Sequence, residues 1–187
     1  MHSVDLQGLI VFPARTIVAD EQQLPEKPGV YMFFVRGGNK ILSATAYFDL
    51  GGRRPLTFRR RQHLYTGAAL DLRRRLRQHM KLIELSSLRR SLLAVERQRK
   101  AISLSGTPQC AVNGELSLTA WLCSNALVGI ETVDEPFDRE RQLLSECASP
   151  LNLTLRRQEP FARSLLAMRR AAFRDWDRHC VQRLRRQ

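Results

Sequence analysis

Three side chains of different chemistry lie close together in residues 63–80, HLYTGAALDLRRRLRQHM. Tyr65 brings a phenol, Arg75 a guanidinium and His79 an imidazole. Arg75 and His79 are four residues apart, so on a helix they share one face, a turn from each other. Tyr65 stands at the end of the strand that leads into that helix. The three groups then converge on one spot, where a guanidinium fork and a polar pair make a grip on a phosphate.

The elements that must hold them can be read locally. His63, Leu64 and Tyr65 form a short β-prone run, and Gly67 is expected to break it where the backbone turns. Asp71 is placed to cap a helix, because its carboxylate accepts from free amides of the first turn. Leu72, Leu76 and Met80 recur every four residues and give that helix one apolar face. Residues 30–35 are crowded with β-branched and aromatic side chains and read as a buried strand starting near Tyr31. Residues 127–133 read as a third strand. The short apolar run 9–12 is a candidate extra strand packed on the core.

Further along, Ser87 is expected to cap a helix reaching about residue 102, and residues 118–123 read as a short helical turn closed by Asn125. Asp134 and Asp138 are candidate caps for a helix from about Pro136 to Cys147, with proline favoured at the first position. Glu140 then lies in its first or second turn, where a glutamate also suits the positive helix end. Residues 160–187 read as one long helix, with Leu165, Met168, Ala172, Trp176, Cys180 and Leu184 as an apolar stripe and arginines around much of the rest.

Bulk properties restrict the partner. The chain has 187 residues, 43% of them hydrophobic, enough to bury a core. Its formal charge is +13, from 31 basic and 18 acidic residues, which suits a polyanion: nucleic acid or an anionic membrane surface. The widely spaced Cys110, Cys123, Cys147 and Cys180 suggest neither a zinc site nor a disulfide framework, but free thiols in a reducing compartment. With neither a secretory signal nor a membrane-spanning apolar run in view, a cytoplasmic protein is expected.

The 63–80 stretch resembles the second motif of the GIY-YIG endonuclease family, with Tyr65-Thr66-Gly67 in its tyrosine-X-glycine place. The family carries a catalytic arginine ten residues after that tyrosine, matching Arg75, and often a histidine or tyrosine a turn further, matching His79. Gly29-Val30-Tyr31, preceded by Pro28, is similar to the first motif. Glu140-Arg141-Gln142-Leu143-Leu144 is similar to the helix start that bears the family's metal-binding glutamate. Asn152, after Pro150 and Leu151, stands twelve residues beyond Glu140, where several members have an asparagine. The resemblance spans about residues 27–155. Ala68 stands where repair-type members carry a lysine, which weakens any close kinship with the nucleotide-excision-repair incision subunit.

That resemblance implies a small α+β domain: a central antiparallel sheet of three main strands flanked by helices. Residues 1–24 would be an N-terminal extension, 25–155 the nuclease domain and 156–187 a basic C-terminal helical extension. Relative to the family pattern, 36–62 is an insertion. Within it residues 41–50 are a strand candidate that Thr57 and Phe58 could pair with as a hairpin. Arg53, Arg54, Arg59, Arg60 and Arg61 flank that hairpin, either as a solvated loop or as a DNA-contacting finger.

By the resemblance, Tyr31, Tyr65, Arg75, His79, Glu140 and Asn152 form the catalytic set. Glu140 would hold one Mg²⁺ or Mn²⁺ ion as a hard oxygen ligand. DNA is the implied partner and a membrane is not; the +13 charge adds Arg170, Arg174 and Arg178 on the C-terminal helix as candidate contacts. The implied activity is metal-dependent hydrolysis of DNA phosphodiesters. A catalytically silent nucleic-acid-binding protein on the same scaffold is the alternative.

Overall fold

The computed structural model describes residues 8–36, 56–81, 85–99, 111–153 and 160–184, with the backbone alone described at 97–99, 111–115 and 173–184. In chain order these form β1 (Ile10–Pro13), α1 (Arg15–Ala19), a single 3-10 turn (Glu21–Gln23), β2 (Gly29–Arg36), β3 (Thr57–Phe58), β4 (Arg61–Ala69) and α2 (Leu72–Lys81). There follow α3 (Ser87–Arg99), α4 (Ala111–Asn125), β5 (Ala126–Thr132), α5 (Pro136–Glu146) and α6 (Pro160–Leu184). Among the described residues no helix is long and apolar enough to cross a membrane.

The sheet is antiparallel, in the order β1-β5-β2-β4-β3. The three long strands expected from the sequence, β2, β4 and β5, occupy its centre. Two short edge strands raise the count from three to five, one of them from the 9–12 run. β2 is buried along seven of its eight residues. Its alternate side chains serve two cores. Tyr31, Phe33 and Val35 pack with helices α2, α3, α4 and α6, whereas Val30, Met32 and Phe34 pack with Leu143 and Cys147 at α5. Helices on both faces explain why β2 reads as a continuous apolar run rather than an alternating one. Each of its fully buried Val, Met and Phe side chains contributes about 1.5–3 kcal/mol.

Several local expectations are corrected. Gly67 does not turn the chain: β4 runs on to Ala69, and Gly67 lies opposite Tyr31 in the register. A Cβ there would overlap the Tyr31 hydroxyl, so the glycine makes room for that ring. Gly29 does similar work, because a Cβ would run into the Glu131 carbonyl and Leu72. Helix α3 is capped by Ser86, not Ser87: the Ser86 Oγ accepts from the Arg89 amide at 3.0 Å, and Ser87 is the first helical residue. The expected short turn at 118–123 belongs to the 15-residue α4, with Asn125 at its end as foreseen. At α5 neither Asp134 nor Asp138 caps. Glu135 holds the cap position without a side-chain bond, and Asp138 pairs with Arg141 one turn on.

Thr57 and Phe58 pair with Gln62 and Arg61 in a two-residue hairpin. Its tip, Arg59-Arg60, has φ of 46° and 61°. Pairing of this segment with 41–50 lies outside the described residues, as do Arg53, Arg54 and the end of α3 near 102. Helix α6 packs on α3 and places Phe161, Ala162, Leu165, Met168 and Ala172 in the main core. The first half of the expected stripe is therefore buried, and the positions from Trp176 on lie outside the described side chains.

Candidate active site

Strand β2 places Tyr31 opposite Gly67, and β4 places Tyr65 opposite Phe33, so the phenols lie side by side on one face of the sheet. Their rings stack with centroids 6.3 Å apart and planes at 28°. Helix α2 lies over them, and its start is fixed from three directions. Asp71 caps the Arg74 amide at 2.9 Å, and the Leu72 and Arg73 amides donate to the carbonyls of Lys27 and Pro25. The Arg73 side chain binds the Leu24 and Gln22 carbonyls and the Glu26 carboxylate. The segment that leads into Tyr31 and the helix that carries Arg75 and His79 are thus clamped together.

The resulting geometry is a short hydrogen-bonded chain. The Tyr31 hydroxyl lies 2.7 Å from Nε2 of His79 and accepts from Nε of Arg75 at 3.2 Å. On the other side of the ring, His79 Nδ1 is 2.6 Å from the Ser86 hydroxyl. Arg75 is held along its length, donating to Gln78 at 3.0 Å and to the Leu85 carbonyl at 2.8 Å. The Tyr65 hydroxyl lies within electrostatic reach of Arg75 and beside Ser87 at the start of α3. Both phenols and the imidazole are buried, and Arg75 and Glu140 are the members that reach solvent.

Burial sets the protonation states. Desolvation raises the Tyr31 phenol well above its ordinary range, with Arg75 pulling the other way, and it raises Tyr65 likewise. Burial also drives His79 well below its usual value, helped by the cations of Arg75 and Arg89, so the imidazole is neutral. Glu140, on α5, is pushed up to about 7 by desolvation, despite the opposing pull of Arg75. Its charge is felt at both phenols, which puts Glu140 in the same electrostatic cluster. Among the described residues no basic group forms a salt bridge with it.

The structure therefore brings Tyr31, Tyr65, Arg75, His79 and Glu140 into one site. Asn152 holds the backbone of Thr66, the residue that follows Tyr65. Its amide is fully buried, Oδ1 accepting from the Thr66 amide at 2.8 Å and Nδ2 donating to the Thr66 carbonyl at 2.7 Å. Both ends of the side chain are spent on the backbone next to Tyr65. Behind Thr66 its hydroxyl meets His63 Nε2 at 2.7 Å, and His63 Nδ1 donates to the Ala148 carbonyl at 3.1 Å.

Of the expected nucleic-acid contacts, Arg59 and Arg60 are exposed at the β3–β4 tip and Arg170 is exposed on α6. Arg53 and Arg54, and the side chains of Arg174 and Arg178, lie outside what is described.

Sequence reading missed four supports of the site. Ser86 orients His79, and Ser87 meets Tyr65. Arg169, on α6, donates to the Ser87 hydroxyl at 3.2 Å. Arg89 is fully buried, and its Nη1 donates to the carbonyls of His79 at 3.3 Å and Met80 at 3.0 Å and to the Thr119 hydroxyl at 3.0 Å. A cation on the last carbonyls of α2 satisfies and stabilises that helix end. Nothing in the periodicity separates Arg89 or Arg169 from neighbouring arginines. The Ser86-Ser87 pair before an apolar run was the one usable signal.

A lone carboxylate suits Mg²⁺ or Mn²⁺, because such ions keep several waters and take one or two carboxylates plus substrate phosphates. A carboxyl withdrawn from water without a salt bridge fits such a cation. Among the described residues no three His, Cys, Asp or Glu side chains group as a metal cage.

A family model described as the GIY-YIG catalytic domain matches residues 29–171. No curated protein and no solved structure matches the chain.

Proposed function

The chain belongs to the GIY-YIG family, and from that premise we propose that it is a metal-dependent endonuclease that hydrolyses DNA phosphodiesters. The observation that carries the reading is the Tyr31–His79 pair at 2.7 Å with the Arg75 guanidinium on the same hydroxyl, and a raised Glu140 carboxyl whose charge reaches both phenols.

The residues divide the work. Glu140 would hold the cation, whose chemistry when bound would be to stabilise charge on the phosphate and the departing 3′ oxygen. Arg75, anchored through Gln78 and Leu85, neutralises a non-bridging phosphate oxygen as charge develops there. Tyr31 takes the proton of the attacking water while passing its own to Nε2 of His79. The phenol thus stays neutral in a site that disfavours phenolate. The imidazolium so formed is disfavoured by burial, and the growing negative charge on the phosphate offsets it. Tyr65 orients the water. Asn152 keeps β4, and so Tyr65, in register. Arg53, Arg54, Arg59, Arg60, Arg170, Arg174 and Arg178 supply contacts to the DNA backbone.

The test is incubation with supercoiled plasmid, branched and single-stranded DNA, with Mg²⁺, with Mn²⁺ and with chelator. Cleavage with metal and none with chelator is expected. Binding without cleavage of any form would make the chain a silent nucleic-acid-binding protein on the same scaffold.

A further inference from the structure

We infer that the β3–β4 hairpin carries a second anion site, which holds the nucleic-acid backbone well away from the catalytic group. The partner rests on the reading above; the site rests on four arginines.

Arg36 and Arg61 stand directly opposite each other in the β2–β4 register, an arrangement that like charges disfavour. Arg59 and Arg60 complete the group, and among the described residues these four line one shallow concavity of about 380 Å³. Among the described residues no carboxylate pairs with any of them. Four cations around one hollow repel one another until an anion enters.

Backbone conformation points the same way. Both tip residues have positive φ, 46° and 61°, as a two-residue hairpin turn requires. Asn-Gly meets that requirement at least cost, yet this chain has Arg-Arg there. Strain kept at an exposed tip calls for a use of the side chains. Arg59 is steadied over the Phe58 ring at 5.2 Å, and Phe58 packs on Phe34 with centroids 5.7 Å apart. Arg61 donates to the Asn125 carbonyl at 3.1 Å and is fixed from behind. Two of the four guanidiniums, those of Arg59 and Arg61, are therefore anchored rather than loose.

Five residues of extended strand separate Arg36 from Tyr31, about 17 Å. That is roughly five base-pair rises along a duplex axis. The hairpin would grip the backbone about half a turn from the scissile phosphate.

The test is fluorescence anisotropy with a labelled 20-base-pair duplex between 50 and 200 mM NaCl, with melting temperatures in parallel. The paired variant Arg59→Asn with Arg60→Gly installs the preferred turn and removes two charges. It is expected to melt at the same or a higher temperature, to bind at least tenfold more weakly at 50 mM, and to lower the salt slope by about two. Arg36→Gln should lower the slope by about one with the melting temperature unchanged. Unchanged affinity and slope in both variants would overturn the site, as would a wild type that binds no nucleic acid. Should the paired variant lose its fold, Arg36→Gln decides alone. A wild type that binds as expected but never cleaves removes the nuclease reading and leaves this site standing.

Discussion

Replacing Glu140 by glutamine is expected to stabilise the folded protein while abolishing cleavage. The carboxyl is lifted from its ordinary 4.5 to about 7, chiefly by burial. That displacement corresponds to roughly 3 kcal/mol against the charged form. Glu140 keeps part of its surface in water, so screening reduces the figure to about 1–2 kcal/mol. The sign follows from linkage. Below about pH 4.5 the side chain is protonated in both states and costs nothing. Between 4.5 and 7 the folded state holds a proton that the unfolded chain has released, so stability falls as pH rises, and above 7 the loss is complete. Glutamine has no such charge. At pH 8 Glu140→Gln should melt about 2–8 °C above the wild type, given roughly 2–4 °C per kcal/mol for a chain of this size. At pH 4 the two should coincide. Added Mg²⁺ should raise the wild-type melting temperature at pH 8 and leave the variant unmoved. Scanning calorimetry at pH 4, 6 and 8, with and without metal, measures all of this. Parallel pH curves for the two proteins would refute the reasoning, because the carboxyl would then not be a buried charge awaiting a cation.

Gly67→Ala is expected to force Tyr31 out of place, costing about 1–3 kcal/mol of stability and most of the cleavage, read by thermal melts and plasmid nicking. Asn152→Ala leaves the Thr66 amide and carbonyl unpaired in the core, so it should cost about 2–4 kcal/mol; a fully stable, inactive variant would instead put Asn152 in the chemistry. Tyr31→Phe removes the proton carrier and should slow cleavage by roughly 10²–10⁴-fold with DNA affinity kept, as single-turnover assays and anisotropy would show. At limiting Mg²⁺ the cleavage rate should rise with pH through about 7 as Glu140 ionises, and saturating metal should move that inflection down; since His79 is held neutral, no inflection near 6.5 should come from it.

Much of the site was legible because its parts obey local rules. Asp71 caps where a short carboxylate before a periodic run should, and Arg75 and His79 share a face because helical residues four apart must. The strand at 30–35 announced itself by composition. What could not be read was tertiary. Gly67 looks like a turn residue in any window, and its reason, a tyrosine ring on the neighbouring strand, appears only once β2 and β4 pair. Asn152 carries the right spacing for a site residue, yet its spacing to Glu140 says nothing of the Thr66 backbone it brackets. Arg89 is one arginine among 27, and its burial depends on where α4 places Thr119. The edge strands were the weakest signals, four and two residues long, too short for alternation to speak.

The central claim is that Glu140 anchors the metal on which cleavage depends, and single-turnover cleavage of plasmid DNA by Glu140→Ala tests it most directly. Glu146→Ala serves as the control: it lies six residues on, on another face of α5, exposed and bonded to Gln142. Removing the anchor should cost several kcal/mol of transition-state stabilisation, so Mg²⁺-dependent cleavage should fall by roughly a thousandfold or more. DNA affinity should stay unchanged, and Glu146→Ala should cut like the wild type. Glu140→Ala cleaving at the wild-type rate, in the same Mg²⁺, would contradict the account.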